Sequence, residues 1–381
     1  MPWQEMRTVD LRTEFVELSR SGTLSFSELC RRYSISRKTG YKWLQRYAES
    51  GAEGLHDQSR CPLHQPTHTP PEVEALIVAC RDRFPYWGGR KLRKVLADEG
   101  HTQLPAPSTI TAILRRHERL SASAEPHASI RFEHAHPNDL WQMDFKGHVP
   151  VGQLRCHPLT VLDDCSRFSV CLQACGNEQS QTVREALTAT FRRYGLPHRM
   201  TMDNGPPWGA GGRGHFSRLK VWLIEQGITV THSRPYHPQT QGKDERFHRT
   251  LKIELLGRQH FDSLARCQRA FNRWRQQYNH LRPHEALAMQ TPASRYECSQ
   301  RQWQEHLSEY EYGETDEVRK VSSDQSISFH RYVIMVGEGF VGKRIALRPT
   351  PIDGKYTIHF CHQQIGEVDL REMTKRVRYD R

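Results

Sequence analysis

Apolar residues in the first sixty positions recur at helical spacing. Leu11, Phe15 and Leu18 form one stripe, which stops at Ser21-Gly22 where small flexible residues break the pattern. Phe26, Leu29, Cys30 and Tyr33 mark a second, shorter helix. Ser36 then stands where a side-chain oxygen caps a third, whose apolar members are Tyr41, Leu44 and Tyr47. Pro70-Pro71-Glu72 opens another helix with Val73, Leu76, Ile77, Cys80 and Phe84 inward. A following helix carries Leu92, Val95 and Leu96, and the next, capped by Ser108, carries Ile110, Ile113 and Leu114. Residues 121–130 are small, polar and without period, as in a linker.

Beyond the linker the period changes. Over residues 140–146, Trp141, Met143 and Phe145 alternate with Gln142, Asp144 and Lys146, which predicts a strand. Further strands are expected over 156–164, from Phe168 onward and over 199–203, with a helix over 179–194 that turns Val183, Ala186, Leu187 and Phe191 inward. From Lys243, the residues Phe247, Leu251 and Leu255 recur every four positions, again a helix. Five short strands follow near the end, at 326–329, 332–336, 343–347, 356–360 and 364–368, separated by turn signals such as Gly337-Glu338-Gly339 and Asp353-Gly354.

These patterns divide 381 residues, too many for one ordinary core, into several parts. The expected architecture is multidomain, with all-α helix-turn-helix modules at 1–62 and 65–120 and a linker at 121–133. An α/β core, a mixed sheet flanked by helices, follows at 134–300, and a small all-β domain at 318–381. In a helix-turn-helix reader the start of the third helix meets base edges, and Arg37, Lys38, Lys42 and Arg46 supply cationic reach there. A plain three-helix bundle with a solvated basic face fits the same pattern. Arg90 and Lys91, with Arg93 and Lys94, mostly face outward in the second module and offer a second grip on DNA. Gly40 costs its helix about 1 kcal/mol against alanine, and nothing in the sequence explains it.

The charge balance adds to this. Lysine and arginine number 55 against 43 acidic residues, a net +12, which favours a polyanionic partner, although solvated surface charge produces the same balance. No apolar run approaches the roughly 18 residues of a membrane span, and the opening Met1-Pro2-Trp3 lacks an export pattern, so a cytoplasmic protein without a membrane partner is expected. The ten cysteines include no Cys-x-x-Cys pair. Neither a disulfide framework nor a zinc site is expected, and His134 and His136 read as surface or linker residues.

Three carboxylates carry the candidate chemistry. Asp144 lies on the polar face of its strand, Asp203 ends a strand before the tight Asn204-Gly205-Pro206-Pro207 turn, and Glu245 opens a helix. On the side of that helix away from the apolar stripe, Glu245 is joined by His248, Arg249 and Lys252. Converging carboxylates hold divalent cations against a phosphodiester, and cations further along suit phosphates. Taken alone, Glu245 is equally a partner for Arg249 on a solvated face. Asp163 and Asp164 suit turn hydrogen bonding and pairing with Arg167 better than metal or DNA.

The strings Trp141-Gln142-Met143-Asp144, Leu162-Asp163-Asp164-Cys165-Ser166-Arg167 and Asp203-Asn204-Gly205 carry a resemblance. So do Tyr236-His-Pro-Gln-Thr-Gln-Gly-Lys-Asp-Glu245-Arg-Phe-His-Arg-Thr-Leu-Lys252 and Tyr278-Asn-His-Leu-Arg-Pro-His-Glu-Ala-Leu287. In these strings the chain resembles the integrase-core transposases of bacterial insertion sequences, relatives of the retroviral integrases. The similarity spans most of the chain, including Gly51-Ala-Glu-Gly54-Leu-His-Asp57. It implies an RNase H-like core in which Asp144, Asp203 and Glu245 bind two Mg²⁺ or Mn²⁺ ions, and a small C-terminal barrel in which Lys343, Arg344 and Arg348 face DNA or a neighbouring subunit. It further implies recognition of terminal inverted repeats, end cleavage and strand transfer into target DNA. Double-stranded DNA is then the partner, bound by a homodimer or larger assembly. A transposase-derived DNA-binding regulator and an RNase H-like nuclease without strand transfer are the alternatives. One departure is the gap of 41 residues between Asp203 and Glu245, longer than the family spacing, whose surplus coincides with the glycine-rich residues 209–214.

Overall fold

The computed structural model describes residues 8–58, 69–120, 133–202, 208, 216–232 and 242–373. It divides into two compact units, residues 1–69 and 70–381. In the first, α1 (Thr8–Ser21), α2 (Phe26–Arg32) and α3 (Arg37–Ser50) enclose Phe15, Val16, Leu29, Cys30, Trp43 and Leu55. Ser25 and Ser36 cap α2 and α3 by accepting from the amides of Glu28 and Thr39. The buried face of α3 differs from the expected one. Trp43 points inward while Tyr41 is 55 % exposed, its ring stacked on Phe26 at 4.3 Å. Gly40 is the reason: a Cβ there would lie 2.9 Å from both Cys30 Sγ and Phe26 Cζ, and 3.0 Å from Phe15 Cζ. The missing side chain lets α3 cross its neighbours in direct contact, which offsets the low helix propensity of glycine.

The second unit opens with α4 (Pro71–Arg83), α5 (Gly89–Asp98) and α6 (Pro107–Arg116) around Ile77, Leu92, Leu96, Ile110 and Leu114. Ser108 lies inside α6 and does not cap it. Ala106 holds the cap position and Pro107 supplies the first helical φ. These helices are fastened to the domain that follows through Glu254. Its buried carboxylate accepts from Trp87 Nε1 (3.3 Å), Trp274 Nε1 (3.1 Å) and Arg282 Nε (3.0 Å), so it is fully provided with donors. Arg258 adds a cation over the Tyr86 ring at 3.9 Å.

That domain is built on a six-stranded mixed sheet. Its strands are β1 (Leu140–Phe145), β2 (Val149–Val151), β3 (Leu154–Asp163), β4 (Ser169–Cys175), β5 (Arg199–Met202) and β6 (Thr229–His232). β3 pairs antiparallel with β1, β2 and β4, whereas β1, β5 and β6 run parallel. Both faces are covered. Trp141, Met143 and Val161 pack with α7 (Ser180–Tyr194) and α8 (Arg218–Glu225) through Leu187, Phe191 and Trp222. Leu162 and Leu172 pack on the other face with α9 (Gly242–Leu251), its π-helical continuation (Lys252–Leu256) and α10 (Leu264–His280), through Phe247, Leu251, Phe271 and Trp274. Polar side chains close the outer edge of β4. On α10, Gln268 bonds Ala174 N and Leu172 O, Arg275 donates to Val170 O, and Asn279 bonds both N and O of Ser169. Backbone groups that would otherwise recruit another strand are thereby satisfied.

The C-terminal strands are β7 (Glu317–Lys320), β8 (Ser326–Phe329), β9 (Tyr332–Met335), β10 (Arg344–Pro349), β11 (Lys355–Phe360) and β12 (Gln363–Asp369). The expected small barrel is not formed. Among the described residues the order β12-β11-β10-β7 makes an open four-stranded sheet, and β8 and β9 make a separate hairpin. Docking takes the place of closure. Ile345, Leu347, Ile358 and Phe360 join the same apolar cluster as Trp222 of α8, so the sheet buries its face against the core. The Gln363 amide pairs with both N and O of Val230 (3.0 and 3.1 Å), covering the edge of β6. The linker residues 121–130 lie outside the described residues.

Candidate active site

Asp144 sits on β1 opposite Thr160 of β3. Its Oδ1 accepts the amide of Phe145 at 2.8 Å, which fixes the carboxylate, and the side chain remains 32 % exposed. Thr160 Oγ1 donates to the Asp144 carbonyl at 2.9 Å and lies 2.8 Å from Nε2 of His248 on α9. The other imidazole nitrogen, Nδ1, faces Asp144 Oδ2 at 3.9 Å. Burial, with Lys146 nearby, pushes the imidazole down to about 4, so it is neutral at physiological pH. Glu245 is exposed in the first turn of α9, three residues before His248 and on the same side. Asp203 lies outside the described residues, as do 204–207, the glycine-rich 209–214 and the polar loop at 233–241. Strand β5, which pairs with β1, ends at Met202 immediately before it. Of the three carboxylates, Asp144 and the helix that carries Glu245 are thus brought together, with His248 between them.

Behind Asp144 lies a wall of charge. Asp163 is fully buried and accepts from Asn138 N (2.7 Å), Ser166 N (2.8 Å) and Ser166 Oγ (2.6 Å), a turn-holding role. Asp164 accepts from His134 N (2.9 Å) and Gln142 Nε2 (2.7 Å), and pairs with Lys243, which ties the start of α9 to β1. Arg167 pairs with Glu133 at 3.2 Å, where a pairing with the two aspartates was expected. Asp244 and His248 were passed over as buried residues. Asp244 is inaccessible, its Oδ1 has no hydrogen-bond partner among the described residues, and burial followed by the charges of Asp144 and Asp164 raises its carboxyl well above the usual range. Helical spacing held the signal, because positions 244 and 248 flank Phe247 and Leu251 at intervals of three and four.

The predicted DNA-binding cations are distributed unevenly. Arg37, Lys38 and Lys42 are exposed along α3, while Arg46 is half-buried with its guanidinium 5.2 Å from the Trp43 ring. Arg90 is exposed. Lys91 is not outward: it is half-buried, and burial and then Arg282 push its amine down to about 8 against the opposing Glu254 and Glu285. Arg249 and Lys252 are exposed on the helix of Glu245. Lys343 pairs with Glu225, Arg344 with Glu309 at 2.7 Å and Arg348 with Asp316 at 2.7 Å, so intrachain carboxylates already hold these three. A concavity lined by His134, Asp139, His198, Arg199, Gly227 and Thr229 opens where β5 and β6 begin, away from the strand ends that lead to Asp203.

Comparison with known families agrees with this architecture. Residues 134–238 and 226–292 match models of the integrase core domain, 11–62 a helix-turn-helix domain, 39–114 a homeodomain-like domain, and 316–376 the C-terminal domain of IS481 family transposases. An integrase core joined to helix-turn-helix domains defines a polynucleotidyl transferase-type protein of the transposase and integrase class. The chain is 26 % identical over 244 residues to the insertion element IS407 uncharacterized 31.7 kDa protein of Burkholderia multivorans, covering 62 % of this chain and 85 % of that one. It is 32 % identical over 160 residues to the insertion element IS476 uncharacterized 39.2 kDa protein of Xanthomonas euvesicatoria, covering 41 % and 44 %. The HTLV-2 integrase catalytic core domain in complex with magnesium aligns with 43 % of this chain and 99 % of its own, at 17 % identity and a TM-score of 0.34. The chain belongs to the integrase-core transposases of insertion sequences. Among the described residues, no helix is long and apolar enough to cross a membrane.

Proposed function

We propose that this protein binds the terminal inverted repeats of its insertion sequence, cuts the DNA at the element ends, and joins the exposed 3′ hydroxyls to target DNA. The observation that carries the reading is the Asp144 carboxylate, anchored through Oδ1 to the Phe145 amide and turned toward the helix that presents Glu245. In this reading residues 1–62 and 65–120 bind the ends, 134–300 carry the chemistry, and 318–381 support the assembly. Asp144, Asp203 and Glu245 would hold two Mg²⁺ or Mn²⁺ ions. The donor set fits hard cations, because it consists of carboxylate oxygens beside an excess of negative charge. Asp144, Asp164 and Asp244 crowd together, and Asp244 Oδ1 is buried without a hydrogen-bond partner among the described residues. When bound, such ions polarise the scissile phosphodiester and stabilise the charge that develops on it.

The chain's own residues do the rest by positioning. The Phe145 amide holds the Asp144 rotamer, and Lys243 on Asp164 holds the first turn of α9 beside β1. Arg249 and Lys252 bind the phosphates that flank the cut. Arg37, Lys38, Lys42 and Arg46 engage the ends from α3, with Arg90 as a second grip, while Lys91 fastens α5 to the core. No serine or tyrosine nucleophile is required. Two ends must meet at one target, so the working form on DNA is a dimer or larger.

The test uses labelled duplexes that end in the terminal repeat, with Mg²⁺ or Mn²⁺. Asp203→Asn is expected to abolish end cleavage and strand transfer while end binding persists. Strand transfer by that variant would refute the assignment. Wild-type binding without any cutting would point instead to a DNA-binding regulator, and cutting without joined products to a nuclease.

A further inference from the structure

Resting on that metal reading, we propose that His248 Nδ1 is a further metal ligand, sharing one divalent cation with Asp144 and Glu245. The argument starts from hydrogen positions. A carbonyl oxygen only accepts, so the single hydroxyl proton of Thr160 goes to the Asp144 carbonyl 2.9 Å away. The 2.8 Å contact between Thr160 Oγ1 and His248 Nε2 is then satisfied only if Nε2 carries the proton and donates. Nδ1 is therefore left with its lone pair, and it faces another acceptor, Asp144 Oδ2, at 3.9 Å. Two acceptors facing one another with no proton between them are held together by a cation. Ligand atoms about 2.1 Å from one octahedral ion stand roughly 3 Å apart when adjacent and about 4 Å when opposite. The observed separation falls within that range.

The helix supplies the third donor. Glu245-Arg246-Phe247-His248 places a carboxylate and an imidazole three residues apart on one side of α9, the spacing by which helices in di-metal bundle proteins offer two ligands to a shared site. His248 is buried and packed beside Phe247, so its ring is held in place, and Thr160 fixes its tautomer from outside the ligand set. A nitrogen donor favours Mn²⁺ and other transition ions over Mg²⁺.

The experiment is pulsed electron paramagnetic resonance of the untagged full chain with Mn²⁺, together with Mn²⁺ and Mg²⁺ titrations. The expected result is nitrogen modulation from a directly bound imidazole, lost in His248→Gln and in Asp144→Asn, with the Mn²⁺ over Mg²⁺ preference reduced in His248→Gln. Thr160→Val keeps the imidazole but removes its tautomer lock, and should weaken Mn²⁺ binding by about 10-fold or more. Asp144-dependent Mn²⁺ binding without nitrogen modulation would overturn the role of His248 and leave the carboxylate site standing. So would modulation that survives His248→Gln, or Mn²⁺ affinity unchanged in Thr160→Val. Failure of the wild-type chain to bind Mn²⁺ at all would overturn the metal reading and this inference with it.

Discussion

Glu254→Gln is the sharpest test of how the second helical module is held. The native carboxylate is only 5 % exposed and faces the Arg282 guanidinium, itself 12 % exposed, at 3.0 Å. Glutamine keeps an acceptor oxygen for the indole N–H groups of Trp87 and Trp274 but removes the counter-charge. A buried guanidinium left without its partner costs about 3–5 kcal/mol, far more than an exposed pair contributes. The loss should be read from urea unfolding followed by tryptophan fluorescence, since two indoles donate to this carboxylate. Replacing both partners, as Glu254→Met with Arg282→Met, should recover most of the loss, because two apolar side chains leave no stranded charge. A loss below about 1 kcal/mol for Glu254→Gln, or an equal loss in the double variant, would refute the claim that this ion pair joins α5 to the core.

Two further outcomes follow from the same packing. Gly40→Ala, which would gain about 1 kcal/mol in an open helix, should instead destabilise the first unit by about 1–2 kcal/mol by overpacking against Cys30, Phe26 and Phe15; a higher melting temperature for the variant would contradict that. Buried neutral His248 and His284 are pushed down to about 4 and about 2 by burial, the latter also by Arg282 and Lys91, so below pH 6.5 the unfolded chain takes up protons that the native chain does not. Their contribution to stability is complete above about pH 6.5 and falls as pH drops toward their folded values. The urea midpoint should therefore decrease between pH 7.5 and 5, and less so in His284→Gln; a midpoint independent of pH would exclude this.

Much of the architecture was legible because it rests on local rules. Ser36 capping α3, the alternation around Trp141 and Met143, and the four-residue recurrence of Phe247, Leu251 and Leu255 are each written within one or two turns of chain. Asp144 and Glu245 were legible as chemistry because their settings, Trp-Gln-Met-Asp and Gly-Lys-Asp-Glu, are short strings. What depended on distant residues was not. Gly40 acquires its reason only where α3 meets Phe15 and Phe26, and Tyr41 was mistaken for core because its period matched while its neighbours were unknown. The C-terminal strands announced themselves, but whether they close on one another or dock on the core depends on the apolar cluster they share with α8. Lys91 read as a surface cation until Glu254 and Arg282, more than 160 residues along the chain, were found beside it. The sequence by itself determined the elements and the identity of the acidic residues, because helix and strand periods and capping act over a few positions. Tertiary structure alone decided burial, and with it which charges are paired and which way the His248 imidazole faces, because burial depends on residues brought together from distant parts of the chain.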